Sequence, residues 1–367
     1  MSALADSPAI PAAPLEGPFC WSGKDLQQST AWIETLTAPE IAEVQDAMWR
    51  VKQLGVPLHR VRRADFALPT LSERLGHIAR ELEYGRGFVL LRGLPVEQYP
   101  DDETRFIVWG IGAHLGVPVS QSKNGELLGE VRDLGVRLGA PTARGYRSNE
   151  HLRFHTDLAD IVLLLCVRKA RAGGLSRVVS SVAIHNEIMR RRPDLLRLLY
   201  EDYYHSRQGE EAPGEQPWYA KPVFGFHDGQ FSSQYSRSFV ESAQRFAEVP
   251  RITAAQNEAL DLLAEIAEEL CLTMALEPGD IQLLNNHVTY HSRTGYEDEE
   301  TPGRDRLLYR LWLSTPENRS LPPGARVLWG RSEKRVIRGG VPPANGPRYA
   351  FPDWQTAWGQ PELDRAR

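Results

Sequence analysis

Cysteine is scarce in this chain. Only Cys20, Cys166 and Cys271 occur among 367 residues, and no C-x-x-C pair exists. Three widely spaced thiols exclude a disulfide framework and a thiolate zinc site as organising devices, and they fit a reducing compartment. Cys166 lies in an apolar run and reads as a small buried hydrophobe. Long hydrophobic runs are also missing. The longest clean one, Ile161 to Val167, is far too short to cross a bilayer, so no membrane partner is expected. Met1 to Pro18 has neither a basic nor an apolar block of the secretory kind and reads as a flexible lead-in, which makes a cytoplasmic location the expectation. Basic charge is not in excess either. The formal net charge is -5, without the clustered basic face that a nucleic-acid partner would need. No internal repeat is apparent.

What the chain does have is length and an apolar content of 41%, ample for a large core. Thr37-Ala-Pro39-Glu40 reads as a helix start, with Thr37 as N-cap, and Gly55-Val-Pro57 as its end. Leu71, Leu75, Ile78 and Leu82 recur at helical spacing within Pro69 to Tyr84, closed by Gly85. Phe88 to Leu94 reads as a buried strand and Asp101 to Leu115 as a helix. Gln121 to Asn149 is polar and rich in Gly and Arg, a loop with one short strand at Leu128 to Val131 and a candidate substrate-contacting segment. Ile161 to Val167 and Ser176 to Ser181 read as strands, and Ile184 to Tyr200 as a helix interrupted near Pro193. Asp228-Gly229 between strand-like runs signals a hairpin. Thr253 with Gln256 forms a capping box for a helix expected to reach about Met274. Ile281 to Asn285 and Leu307 to Leu313 are the last expected strands.

Two groups of residues carry chemistry. In Phe154-His155-Thr156-Asp157 a histidine and an aspartate stand two apart, so on a strand or its exit both side chains share one face. Far downstream lies Asn286-His287-Val288-Thr289-Tyr290-His291, followed by Arg304, Arg306 and Arg310. One imidazole from the late cluster would complete a 2-His-1-carboxylate set, which leaves coordination positions open and suits non-haem Fe(II). An H-x-D by itself is otherwise a polar strand end. The set gains weight from its order along the chain.

That ordered set, H-T-D, then Gly173-Gly174, then N-x-x-x-x-H and R-x-x-x-R, resembles the TauD/TfdA-type taurine dioxygenase family. The resemblance runs from about Phe88 to Ser314. It implies a mainly β fold with helical decoration (α+β), a double-stranded β-helix or jelly roll. It implies an Fe(II)- and 2-oxoglutarate-dependent dioxygenase that uses O2, releases succinate and CO2, and oxidises an unactivated C–H bond, hydroxylation being the default outcome. By the same resemblance His155, Asp157 and His291 are the iron ligands, His287 being the rival for the third place. Arg306 holds the distal carboxylate of 2-oxoglutarate, since a guanidinium fork matches a carboxylate, with Arg304 as its competitor. Ser176 stands where the family has a threonine beside the co-substrate. Arg310 occupies the position used on an anionic substrate, and Arg147 in the polar loop is the other candidate. The primary partner is thus a small, anionic molecule.

Two other readings stay open at this point. His151 and His155 are four apart, and on a helix they would share a zinc-facing side, as in a hydrolase; the internal Glu of H-E-x-x-H is missing. A jelly roll that only binds is the other. The expected organisation is an N-terminal extension with one helix over 1–60, the oxygenase domain over 61–315, and a tail over 316–367 that packs on the domain or on a second copy in a homo-oligomer.

Overall fold

Alternation along the strands sets the architecture. In Leu307–Ser314, the side chains of Leu308 and Trp312 join one apolar cluster, while Tyr309, Leu311 and Leu313 join another. Ile161–Arg168 divides the same way, with Val162, Leu164 and Cys166 on one face and Ile161, Leu163, Leu165 and Val167 on the other. Both faces are covered, which is why these segments read as unbroken apolar runs.

The structure is a computed structural model that describes residues 10–137, 139, 144–301 and 303–359. The first nine residues of the lead-in, residues 138 and 140–143 of the polar loop, Pro302 and the tail beyond 359 lie outside the described residues. In a seven-stranded sheet, Ile161–Arg168 lies between Leu307–Ser314 and Ile281–Asn285 and runs antiparallel to both. Phe88–Arg92 follows next to Ile281–Asn285, and Ile33–Thr35 closes that edge in parallel. Leu128–Val131 and Val117–Pro118 pair with the far side of Leu307–Ser314. A second sheet has four antiparallel strands in the order Leu272–Met274, Ser176–Ser180, Thr289–Arg293, Leu152–His155. The inner faces meet in one cluster that includes Phe88, Val162, Leu164, Val178 and Leu272. This is the double-stranded β-helix expected from the motifs.

Helices cover both outer faces. Ala38–Leu54 starts at a capping box in which Thr37 and Glu40 satisfy each other's backbone N–H, and it ends at Gly55 in the left-handed region, φ 64°. Its Val44, Met48 and Val51 are fully buried in the same cluster as Leu163, Leu283 and Leu311, so this helix shares the core of the large sheet. Each such side chain contributes roughly 1.5–3 kcal/mol on burial. Leu71–Tyr84 and Asp101–Leu115 complete that layer. Ser181–Arg191, Pro193–Leu198 and Ala254–Leu270 back the small sheet through Val179, Tyr290 and Phe154.

Several expectations change. The Thr253-capped helix stops at Leu270, and Leu272–Met274 is a strand paired with Ser176–Ser180. The apolar spacing ran on, but pairing with a neighbour decided the conformation. A hairpin of Tyr203–Ser206 with Trp218–Lys221 was not read from the sequence. The Asp228-Gly229 turn does join Phe224–His227 to Gln230–Ser233, with both φ values positive. His151 precedes the extended strand Leu152–His155, so it and His155 do not share a helical face, and the zinc-hydrolase geometry is absent. The segment after Ser314 packs back on the barrel. Arg319 donates to Glu83 at 2.9 Å, and Arg338 donates to Asp160 at 2.9 Å, all four side chains buried.

Candidate metal centre

His155 ends the edge strand of the small sheet, and His291 lies directly opposite it on Thr289–Arg293. Cross-strand partners share a face, and the two rings sit 4.3 Å apart. Asp157 follows two residues after His155. Its Oδ1 lies 3.9 Å from His155 Nε2 and its Oδ2 3.8 Å from His291 Nε2, too far for hydrogen bonds. One donor atom from each of the three residues falls within 4.8 Å of the others, a group that could hold one metal ion.

The protonation states suit that use. His155 Nδ1 is 2.9 Å from the Arg153 carbonyl, which can only accept, so the proton sits on Nδ1 and Nε2 keeps its lone pair. Burial pushes the His155 pKa down against the pull of Asp157. Burial, reinforced by repulsion from His155, pushes His291 down to about 3. Both imidazoles are therefore neutral near pH 7. Burial works against an ionised Asp157, but the Arg310 guanidinium, helped by the Trp312 N–H, outweighs it and holds the carboxyl below its usual range.

Residues of the two downstream motifs, with Trp312 and Gln121, fix Asp157. Its backbone N–H donates to Asn286 Oδ1 at 3.0 Å, and Asn286 Nδ2 donates to the Ala159 carbonyl at 2.9 Å. Trp312 Nε1 donates to Asp157 Oδ2 at 2.8 Å, and Arg310 Nη1 reaches the same oxygen at 3.4 Å. Arg310 is aimed by Gln121, whose Oε1 accepts from Nε at 2.7 Å. His287, the rival ligand, is elsewhere. It is buried against Trp329 and lies 2.9 Å from Asp160 Oδ1, a pure acceptor, so His287 Nε2 carries the proton.

Arg306 is buried, whereas Arg304 is exposed. Arg306 Nη1 has no hydrogen-bond partner, and no carboxylate lies within ion-pair distance of its side chain among the described residues. Arg293, two residues after His291, has unpartnered Nε and Nη1 atoms. Burial, then repulsion from Arg306, pushes its pKa down to about 10. Arg293 lies opposite Ser176 in the small sheet, and Ser176 Oγ donates to Gln282 Oε1 at 2.9 Å. The turn that delivers Ser176 depends on Gly173 and Gly174, both at positive φ; a Cβ on Gly173 would come within 2.2 Å of the Gly295 carbonyl oxygen. Two buried, incompletely satisfied guanidiniums beside a hydroxyl fit an anionic group such as a carboxylate. Arg293 was missed in the sequence, although its parity with His291 marks it as inward-facing.

A cavity of about 660 Å³ opens above the metal group and is lined by His155, Asp157, Arg310, Trp312, Tyr235 and His205, among others. Arg147 is not on its wall but pairs with Glu126 at 3.3 Å, half-exposed. Arg144, three residues earlier, is the loop arginine that lines the cavity, paired with Glu210. The polar loop thus contributes to the cavity through a different arginine from the one expected.

Comparison with known proteins agrees with this geometry. The profile of the taurine catabolism dioxygenase TauD, TfdA family matches residues 51–312. The chain is 35% identical over 326 residues to FR-33289 synthase of Streptomyces rubellomurinus, covering 86% of this chain and 95% of that one. It is 28% identical over 324 residues to the taurine hydroxylase-like protein SAT17 of Stachybotrys chartarum, covering 85% and 83%. Among solved structures, an asparagine oxygenase in complex with Fe(II), 3-hydroxyasparagine and succinate superposes with a TM-score of 0.61 at 20% identity, over 77% of this chain and 94% of that one. The non-haem iron oxygenase OrfP in complex with Fe and α-ketoglutaric acid gives 0.59 at 18%, over 83% and 99%. Both share the fold.

Proposed function

The chain belongs to the TauD, TfdA dioxygenase family and is a 2-oxoglutarate-dependent non-haem iron dioxygenase, and from that premise we propose which residues do the work. Fe(II), when bound with 2-oxoglutarate and O2, supplies the oxidation that releases succinate and CO2 and hydroxylates the substrate. His155 Nε2, the Asp157 carboxylate and His291 Nε2 are the ligands. The convergence of these three donors within 4.8 Å of one another, with His155 and Asp157 on the wall of the 660 Å³ cavity, is the observation that carries the assignment. Each ligand is in the form a metal requires: two neutral imidazoles and an ionised carboxylate.

Arg306 takes the distal carboxylate of 2-oxoglutarate, with Arg293 as a second positive charge and Ser176, once its hydroxyl turns from Gln282, as a donor. The unpartnered Arg306 Nη1 supports this reading, because a buried guanidinium without a counter-charge is costly unless a ligand supplies one. Arg310 orients Asp157 and presents its remaining N–H groups to the cavity.

The substrate is small and anionic. The cavity wall carries Arg144, Arg153, Arg207, Arg237, Arg245 and Arg310 against the carboxylates of Asp157, Glu210 and Glu241. Arg237 Nη1 and Arg207 Nε are buried without partners. Closing such a cavity around the substrate fixes which hydrogen faces the metal. The test is a panel of small carboxylic, sulfonic and phosphonic acids incubated with the Fe(II) protein, 2-oxoglutarate and air. Succinate release that rises with one of these acids supports the reading. Release that rises only with neutral or cationic compounds overturns the anionic class.

A further inference from the structure

The two oxygens of Asp157 have unlike surroundings. Oδ2 accepts from Trp312 Nε1 at 2.8 Å and faces Arg310 Nη1 at 3.4 Å. Oδ1 accepts no hydrogen bond among the described residues and lies 3.9 Å from His155 Nε2. A carboxylate oxygen offers about two lone pairs in the carboxylate plane. Two donors converge on Oδ2, so its lone pairs are engaged, while those of Oδ1 are free.

Resting on the ligand assignment above, we propose that Trp312, assisted by Arg310, is a positioning residue that restricts Asp157 to binding the metal through Oδ1 alone. Both donors are themselves held. Trp312 is buried among Val162, Leu308 and Val341 on the inner face of the large sheet. The Arg310 guanidinium stacks on its indole at 5.0 Å and on Tyr146 at 4.4 Å, and Gln121 fixes the Arg310 Nε direction. Neither donor can swing away without breaking packed contacts.

The consequence concerns open coordination positions. Fe(II) held by His155, Asp157 and His291 would need positions left free for the 2-oxo acid and for O2, and a carboxylate bound through both oxygens would take one of them. By engaging Oδ2, the indole N–H would keep that position free. This residue lies two positions after Arg310, on the same face of the strand, and its role would not be guessed from an aromatic in an apolar run.

Trp312→Phe keeps a buried aromatic ring and removes the N–H together with part of the indole's bulk. The probe is Co(II), titrated anaerobically into metal-free protein and followed by its visible absorption, with no turnover involved. The expected result is a Co(II) affinity lowered roughly ten- to hundred-fold, with a spectrum altered toward higher coordination number. A Trp312→Phe protein that loses thermal stability but binds Co(II) with the parent affinity and spectrum overturns the proposal and leaves Trp312 a packing residue. Asp157→Ala separates the two levels. If Asp157→Ala binds Co(II) like the parent, the ligand assignment itself fails; if it loses Co(II) while Trp312→Phe does not, only the Trp312 role fails. Should Trp312→Phe not fold, the unmodified protein still decides. Zn(II) should shift one indole N–H resonance in its nitrogen–proton spectrum, and the absence of any shift overturns the proposal.

Discussion

Arg293 and Arg306 share one tyrosine. Their guanidinium carbons lie 4.5 and 5.1 Å from the centre of the Tyr296 ring, one arginine from the small sheet and the other from the start of the last strand of the large sheet. Like charges this close in a buried place repel, and the depressed pKa of Arg293 reflects burial first and that repulsion second. An aromatic face moderates such a pair. A dicarboxylate co-substrate would neutralise it.

Arg306→Ala should therefore weaken 2-oxoglutarate by well over tenfold. Removing one partner of a desolvated pair costs roughly 2–5 kcal/mol, and each ~1.4 kcal/mol is a factor of ten. Arg293→Met should act in the same direction, and Arg304→Ala should leave binding unchanged because that side chain is exposed. Titration of the anaerobic Fe(II) protein with 2-oxoglutarate, read by the charge-transfer absorption, checks all three. Parent-like binding by Arg306→Ala would move the co-substrate elsewhere.

His155→Ala, Asp157→Ala and His291→Ala should each abolish stoichiometric Fe(II) binding and turnover while the far-ultraviolet circular dichroism stays native. His287→Ala should keep Fe(II) and lose stability, because the ring belongs to the Asp160 cluster. Iron content per chain after desalting distinguishes the two behaviours, and a His287→Ala protein without iron would reverse the assignment.

Asp160 is saturated. Arg338 and His287 donate to Oδ1, and Ser314, Asn318 and the Thr315 backbone donate to Oδ2. Arg338→Met leaves a buried carboxylate short of its counter-charge, which typically costs about 3–5 kcal/mol. Urea unfolding should show that loss, and it should shrink when Asp160→Asn is added, since the charge left behind is then gone.

Acid should destabilise the fold through its buried histidines. Burial pushes His114 and His287 down to about 4 and His205 to about 3 from a usual 6.5. Between these values the unfolded chain binds protons that the folded one does not, so stability falls as pH drops from 6.5 toward 4. At about 1.36 kcal/mol per pKa unit, each histidine accounts for roughly 2 kcal/mol by pH 5. Urea midpoints at pH 7.5 and pH 5 measure the sum, and equal midpoints would contradict it.

The elements read correctly from sequence are those with local causes: the N-cap at Thr37, the capping box at Thr253, the Asp228-Gly229 turn, and strands such as Ile161 to Val167, whose two covered faces leave an unbroken apolar run. What escaped has its cause in distant residues. Leu272–Met274 looks helical until Ser176–Ser180 lies beside it. The three proposed ligands were legible as residue types in order. Arg293 and Trp312 were not, because an arginine without an acid partner and an indole on a carboxylate are defined only by what the fold brings next to them. Arg147 was named for the Arg-rich composition of its loop, and side-chain direction in a loop has no periodicity to read.

The Arg338–Asp160 contact also spans 178 positions of the chain, from just after His155 and Asp157 to a residue beyond the last strand. Asp160 can stay charged in a buried place only because that later segment brings its counter-charge. The end of the barrel that carries two proposed metal ligands is thus kept dry by residues outside the barrel, and loss of the segment that carries Arg338 would return a carboxylate there to water.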